Sequence, residues 1–140
     1  MGSFVYNSYK EQLVDGTYDW DAGQTYKVAL VNVELTDATE TDVDTVLGSG
    51  SKEYGSARVD LANLTISSGA TVGMDADDTV FTSLAADGSE QVVALLVYVH
   101  VGGGDGTCKP VATFLLTSAF YGNGATVTFT WNASGLITLT

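Results

Sequence analysis

Short apolar stretches separated by glycine-rich turns run along most of this 140-residue chain. The longest, residues 92–101, is apolar at nearly every position, which is typical of a strand buried on both faces. Near the end of the chain, Val127, Phe129 and Trp131 alternate with threonines, the pattern of a strand with one buried face. The pattern predicts an all-β fold, a jelly-roll-like or immunoglobulin-like β-sandwich of about seven or eight strands with one short N-terminal helix.

The segment TYKVALVNVEL, residues 25–35, is apolar on both of its alternating sides. Tyr26, Val28 and Leu30 would point one way, whereas Ala29 and Val31 would point the other. A strand with two apolar sides needs cover on both of them. We therefore expect this strand to lie in the centre of a sheet.

Residues 3–15 carry the one convincing helical pattern. Val5, Tyr9 and Leu13 recur at a spacing of four and are joined by Tyr6, so they form a single apolar stripe. Ser3 is a candidate N-terminal cap, and Gly16 is expected to end the helix. This stripe either plugs one end of the sandwich or reaches to a neighbouring chain.

Polar and glycine-rich residues fill positions 36–56, which predicts a long loop with one turn of helix around residues 43–47. No internal repeat or linker is evident in the sequence. We expect residues 1–16 to form the amphipathic helix, and residues 17–140 to form a single β-sandwich domain.

The C-terminal hairpin runs in apolar sequence almost to the last residue. A terminal strand is held in place only when it pairs within a sheet, and a free edge invites pairing with another chain. We therefore expect residues 136–139 to complete the sheet near a subunit boundary. Leu136 and Leu139 are the candidate contact residues there.

Acidic residues dominate the charge, with 17 acids against five Lys plus Arg and a net charge of −12. Such a field repels phosphate groups, which argues against nucleic-acid binding and against attachment to an anionic membrane surface. The acids are unevenly placed: eight fall in residues 15–44, and none in residues 106–140. Strong like charge favours solubility at high copy number.

A single cysteine, Cys108, cannot form an internal disulfide. The chain begins without a basic segment followed by an apolar one, so no signal peptide is expected. The longest apolar run is about half the length of a membrane span. We expect a soluble protein made in the cytosol and not secreted.

Residues with catalytic or metal-binding potential are few and scattered. His100 is the only histidine and has no evident nucleophile or carboxylate beside it in sequence. Asp75, Asp77 and Asp78 offer carboxylates to a cation, but the spacing lacks the glycine and the closing Glu of a calcium loop. We expect no enzyme activity and no cofactor, with a surface cluster of acids as the simpler interpretation of these aspartates.

Two tryptophans and seven tyrosines would suit a sugar-stacking platform if they were exposed. Trp131 alternates with Val127 and Phe129, which favours the core. Trp20 lies in the acidic turn DWDAG and is the better candidate for an exposed contact.

Five segments follow each other in an order that resembles a family of small bacteriophage virion proteins. They are TYKVALVN, ARVDLANLTI, DADDTVFTSLAA, ALLVYVHVG and TFTWNASGLITLT, preceded by the N-terminal helix. The resemblance covers nearly the whole chain and is most specific at residues 27–31, 75–78 and 131–139. Residues 36–56 and the turn GGGDGTCKP depart from the family pattern, so partner choice is expected to differ there.

The resemblance implies a non-enzymatic structural protein of the virion. The role it favours is that of a capsid decoration (cement) protein on the outer surface of the head. The expected partners are the major capsid protein and further copies of the chain, in a homotrimer or a homodimer. Two alternatives remain open: a tail or fibre module that contacts host surface glycan, and a head–tail or tail-tube component.

Overall fold

The computed structural model describes residues 2–20, 23–67, 71–132 and 134–139. That part of the chain contains ten strands and two helices. In chain order they are β1 (Phe4–Val5), α1 (Asn7–Val14), β2 (Thr25–Val31), α2 (Val43–Leu47), β3 (Glu53–Asp60), β4 (Thr65–Ser67), β5 (Val72–Asp75), β6 (Thr79–Phe81), β7 (Val92–His100), β8 (Lys109–Phe120), β9 (Val127–Phe129) and β10 (Ile137–Leu139).

The main sheet has five strands in the order β1-β8-β7-β2-β3, and all of its neighbours are antiparallel. Strand β2 lies between β7 and β3, with Tyr26 opposite Val99 and Val31 opposite Ala94. Its residues from Val28 to Val31 are completely buried. The expectation of a central strand covered on both sides is therefore confirmed.

One face of the main sheet is covered by short strands. Tyr26, Val28 and Leu30 of β2 point into this part of the core. The cover comes from a three-stranded sheet, β10-β5-β4, from a two-stranded sheet, β6-β9, and from helix α1. We call this side the strand-covered face.

The opposite face is covered by helix α2. Val43, Val46 and Leu47 are completely buried there against Ala29 and Val31 of the sheet. The helix has both of its ends capped: the Asp42 carboxylate accepts the Thr45 N–H at 2.8 Å, and Gly48 adopts a left-handed φ of 56°. We call this side the helix-covered face, and the predicted helical turn is confirmed.

The N-terminal segment is part strand and part helix, which corrects the predicted helix over residues 3–15. Phe4 and Val5 pair with Thr113 and Ala112 of β8, so α1 begins only at Asn7. Ser3 does not cap the helix, because its hydroxyl accepts the Leu115 N–H at 2.9 Å. Pairing with an open sheet edge satisfies backbone groups that the first helical turn would leave unpaired.

The all-β class is confirmed, and the strands form a sandwich. The described residues contain ten strands instead of the predicted seven or eight, because several have only two or three residues. Strand β3 begins at Glu53, so it also takes up the end of the predicted 36–56 loop.

Candidate functional site

A cleft opens at one side of the sandwich, between strand β8 of the main sheet and the short strands of the strand-covered face. Its larger part has a volume of about 310 Å³. Apolar and aromatic side chains dominate the lining, together with hydroxyl and amide groups. The residues are Leu95, Phe114, Leu116, Thr128, Phe129, Thr130, Trp131, Asn132, Gly135 and Leu136.

A second part of about 220 Å³ continues toward the N-terminal strand and shares Phe114 and Leu136 with the first. Its other lining residues are Ser3, Phe4, Val5, Ala112, Thr113, Ile137 and Thr138. We call the two parts together the edge cleft. The first and the last strands of the chain therefore lie at the same opening.

The edge cleft is uncharged in a strongly acidic protein. Among the described residues that line its two parts, none is an Asp, Glu, Lys or Arg. The nearby carboxylate of Asp78 is bound to the two residues that follow β9, accepting the Trp131 N–H at 3.1 Å and the Thr130 hydroxyl at 3.2 Å. The cleft thus offers apolar contact and neutral hydrogen-bonding groups to a ligand or partner.

Open strand edges border the cleft. In the described sheets β1 and β10 are outermost strands, and β9 is paired only with β6. Strand β1 pairs with β8 only at Ala112 and Thr113, so much of β8 extends beyond it. Unpaired backbone groups of this kind can accept a strand from another chain.

Trp131 is held in a fixed orientation at the cleft. Its indole Nε1 donates to the Thr79 hydroxyl at 3.1 Å, and its ring lies 5.3 Å from the ring of Phe114 at a tilt of 58°. The neighbouring ring of Phe129 packs against Phe81 and Phe120. Aromatic rings that are fixed in this way present area without a large loss of conformational entropy on binding.

The structure reverses the expectation for the two tryptophans. Trp20 is only 1% exposed, with its Nε1 donating to the Asp75 carbonyl at 2.8 Å and its ring 4.6 Å from that of Tyr26. The prediction that Trp20 is the exposed candidate is therefore wrong. Trp131, which the alternating pattern assigned to the core, is half-buried and lines the edge cleft.

Two further predicted interface residues lie in the core. Tyr6 and Tyr9 are completely buried within the chain, so they offer no surface to a partner. Leu13 is half-buried and packs on the core of the strand-covered face. The helical stripe therefore packs against its own domain, which is the first of the two roles considered for it.

The remaining predicted interface residues lie on either side of the opening. Val5 and Leu136 both line the edge cleft, although they are 131 positions apart in sequence. Leu139 is in the edge strand β10, where its backbone is opposite Val72; its side chain is outside the described part of the structure. The structure thus brings strands β1 and β10 together at one site.

The carboxylates of Asp77 and Asp78 are bound to different partners. Asp77 accepts the Asn63 amide N–H at 2.5 Å, and Asp78 binds Thr130 and Trp131 as described above. Asp75 is in β5 opposite Thr65. Within the described residues, no group of three or more His, Cys, Asp or Glu side chains has an arrangement that could hold a metal ion.

His100 and Cys108 lie closer together than their separation by a glycine turn suggested. The Cys108 Sγ is 3.8 Å from Nδ1 of His100, and it donates to the Val101 carbonyl at 3.3 Å. Cys108 is 1% exposed and belongs to the core of the helix-covered face. A thiol enclosed in this way holds the turn in place and has little access to a substrate.

An ion cluster around Arg58 was missed in the sequence. Its guanidinium donates to both carboxylate oxygens of Glu53 at 2.7 and 2.8 Å, and to both of Asp105 at 2.7 and 2.8 Å. It also lies over the Tyr98 ring, 5.5 Å from the centroid. The cluster ties the glycine-rich turn of residues 102–106 to β3. The hydrogen bonds from Arg58 hold the pKa of Asp105 below its usual range.

Comparisons with protein families, with curated proteins and with solved structures find no match for this chain. Neither described helix has the length and apolar character needed to cross a membrane.

Proposed function

We propose that the chain is a non-enzymatic structural protein of a bacteriophage virion, which binds the outside of the head shell as a decoration (cement) protein. The observation that carries the proposal is the edge cleft: an uncharged, aromatic-lined opening bordered by the first and last strands of a small acidic domain. Open edges and neutral apolar surface are what a protein needs to join neighbours in a shell.

The charge distribution is consistent with the same role. A shell component accumulates in many copies before it assembles, and a net charge of −12 keeps such copies apart in solution. The five segments that carry the sequence resemblance, in their order along the chain, support the same class of protein. Its partners are then the major capsid protein and further copies of the chain.

Electron cryo-microscopy of the virions would test this role directly. Many copies of the domain on the outer surface of the head are expected. Particles made without the gene should lose resistance to heat, and purified protein added back should restore it. A single ring or a tuft at the tail would contradict the decoration role and favour a tail or head–tail component.

A second candidate function is recognition of host surface glycan. The observation that favours it is the grouping of Phe114, Phe129 and Trp131 with Thr128, Thr130 and Asn132 around one opening. Aromatic faces stack on sugar rings, and hydroxyl and amide groups bond to sugar hydroxyls. Binding of the isolated protein to host polysaccharide, lost in Trp131→Ala, would support this function; its absence across the host's polysaccharides would exclude it.

A further inference from the structure

We propose that the edge cleft is where copies of this chain associate, so that its occupant is a second copy of the same protein. The inference deepens the proposed function and rests on it, because a shell component has to contact its neighbours. It names the whole surface of that contact, of which the sequence indicated only the C-terminal strand.

The first argument is electrostatic. Two copies that each carry a net charge of −12 repel one another through most orientations. Eight acids fall in residues 15–44 with Lys27 as the only cation among them, so contact through that region would place like charges together. Residues 106–140 contain no acid, and they supply most of the lining of the edge cleft. Copies can therefore approach through the cleft with the least repulsion.

The second argument is the apolar surface that remains exposed around the cleft. Phe114, Leu116, Phe129 and Trp131 are only half-buried, although each packs against the core. Apolar and aromatic groups gathered at a neutral opening match the composition of the buried centre of protein interfaces.

The third argument is the backbone. Strands β1, β9 and β10 each have an open edge at this side of the described structure, and β8 extends past its short pairing with β1. A second copy brings the same open edges, so strand pairing and side-chain packing can occur together. A dimer about a two-fold axis and a trimer about a three-fold axis both place one copy in the cleft of another.

Light scattering coupled to size exclusion, over a series of protein concentrations, tests the inference. We expect a dimer or trimer for the unmodified chain. Thr128→Glu should raise the dissociation constant about tenfold or more, because it places an unpaired negative charge in each cleft. Thr128 is exposed and lines the cleft, so the substitution leaves the core intact.

Thr25→Glu is the matched control. Thr25 is also an exposed strand threonine, but it lies at the start of β2 and outside the cleft-lining residues. The same change in charge there should leave the mass unchanged. Equal effects of the two variants would overturn the inference, as would a chain that stays monomeric at every concentration.

Hydrogen exchange on the unmodified chain provides a second measurement that needs no variant. Between dilute and concentrated protein, we expect protection to increase in peptides covering residues 112–120 and 127–138, and not in residues 36–60. Protection elsewhere, or a monomer that takes up neutral glycan in the cleft, would overturn the proposal. Both measurements are made on the isolated protein, so their outcome is independent of where the protein is found on a virion.

Discussion

The two faces of the main sheet are closed to very different degrees. On the helix-covered face, Val43, Val46 and Leu47 of α2 are completely buried against the sheet. On the strand-covered face, Phe129 and Trp131 are only half-buried, and a cleft of about 310 Å³ opens beside them. The side chains that cover one face of the sheet are therefore completely buried, whereas the cover of the other face leaves an open cleft.

The difference follows from the elements that provide the cover. A capped helix presents several adjacent apolar side chains from one short segment, and Tyr6, Leu35 and Cys108 add to the cover that α2 provides. Strands β4, β6, β9 and β10 have three residues each and project side chains alternately to both sides. They leave a gap toward β8, where a partner can complete the core.

Truncating one leucine on each face should give the largest contrast. Leu47→Ala removes a completely buried side chain from a closed core, and we expect it to lower the free energy of unfolding by about 3 kcal/mol. Leu116→Ala, in the half-buried lining of the edge cleft, should cost about 1 kcal/mol or less. Urea unfolding of dilute protein would measure both. Equal losses would show that the two faces are equally closed in the isolated chain.

Gly122 tests how the strand-covered face is anchored where the chain leaves β8. Its N–H donates to the Tyr54 hydroxyl at 3.0 Å, and that hydroxyl donates to the Ala85 carbonyl at 3.0 Å. A Cβ at Gly122 would overlap both oxygens. We expect Gly122→Ala to lower the free energy of unfolding by about 2 kcal/mol.

Gly88→Ala is the matched control for that substitution, because a Cβ at Gly88 meets no heavy atom within 4 Å. It should change the free energy of unfolding by less than about 0.5 kcal/mol. Thermal or urea unfolding compares the two variants. If Gly122→Ala lowers the free energy of unfolding no more than Gly88→Ala does, the contact between Gly122 and the Tyr54 hydroxyl is not rigid.

The sequence predicted the elements whose pattern is local. The apolar run of β7, the two apolar sides of β2 and the turn of helix α2 were all expected, because such patterns lie in neighbouring residues. The pairing of Phe4 with Thr113 was not expected, because it joins residues that are far apart in the chain. At Phe4 and Val5, pairing with the distant strand β8 outweighs the local helical pattern.

The candidate site depended even more on long-range contacts. Trp20 is surrounded by acids in sequence, but it is buried because its indole reaches a carbonyl of β5. Trp131 has a core-like alternation, but the layer it belongs to ends at an open edge. Only the meeting of Val5 and Leu136 at the same opening was partly anticipated, through the unpaired apolar end of the chain.

Acid should weaken the ion cluster that borders the helix-covered face. Arg58 lowers the pKa of Asp105, so the folded chain prefers its carboxylate form. The resulting stability is complete above the unfolded pKa of about 3.9 and is lost as the pH falls through the lower folded pKa. We expect Asp105→Asn to cost about 1 kcal/mol at neutral pH, a modest value because the pair is partly exposed. The cost should vanish in acid.

Asp60→Asn is the control for this pH series. Asp60 pairs with Lys27 at 2.6 Å, but its side chain is 61% exposed, so we expect a negligible effect at any pH. Urea unfolding at a series of pH values would follow both variants. A cost of Asp105→Asn that does not change with pH would mean that its ion pair contributes no stability.

The smallest contrast lies between two buried tyrosines, one in the core of each face. Burial raises the pKa of both Tyr6 and Tyr9, so both hydroxyls are protonated at neutral pH. The Tyr9 hydroxyl is hydrogen-bonded to that of Tyr26 at 2.8 Å, and Tyr9→Phe should cost about 1 kcal/mol.

Within the described residues the Tyr6 hydroxyl has no hydrogen-bond partner. Tyr6→Phe should therefore be neutral or slightly stabilising, by up to about 1 kcal/mol. Urea unfolding at neutral pH measures both, and a clear loss in Tyr6→Phe would reveal a partner for that hydroxyl within the helix-covered face.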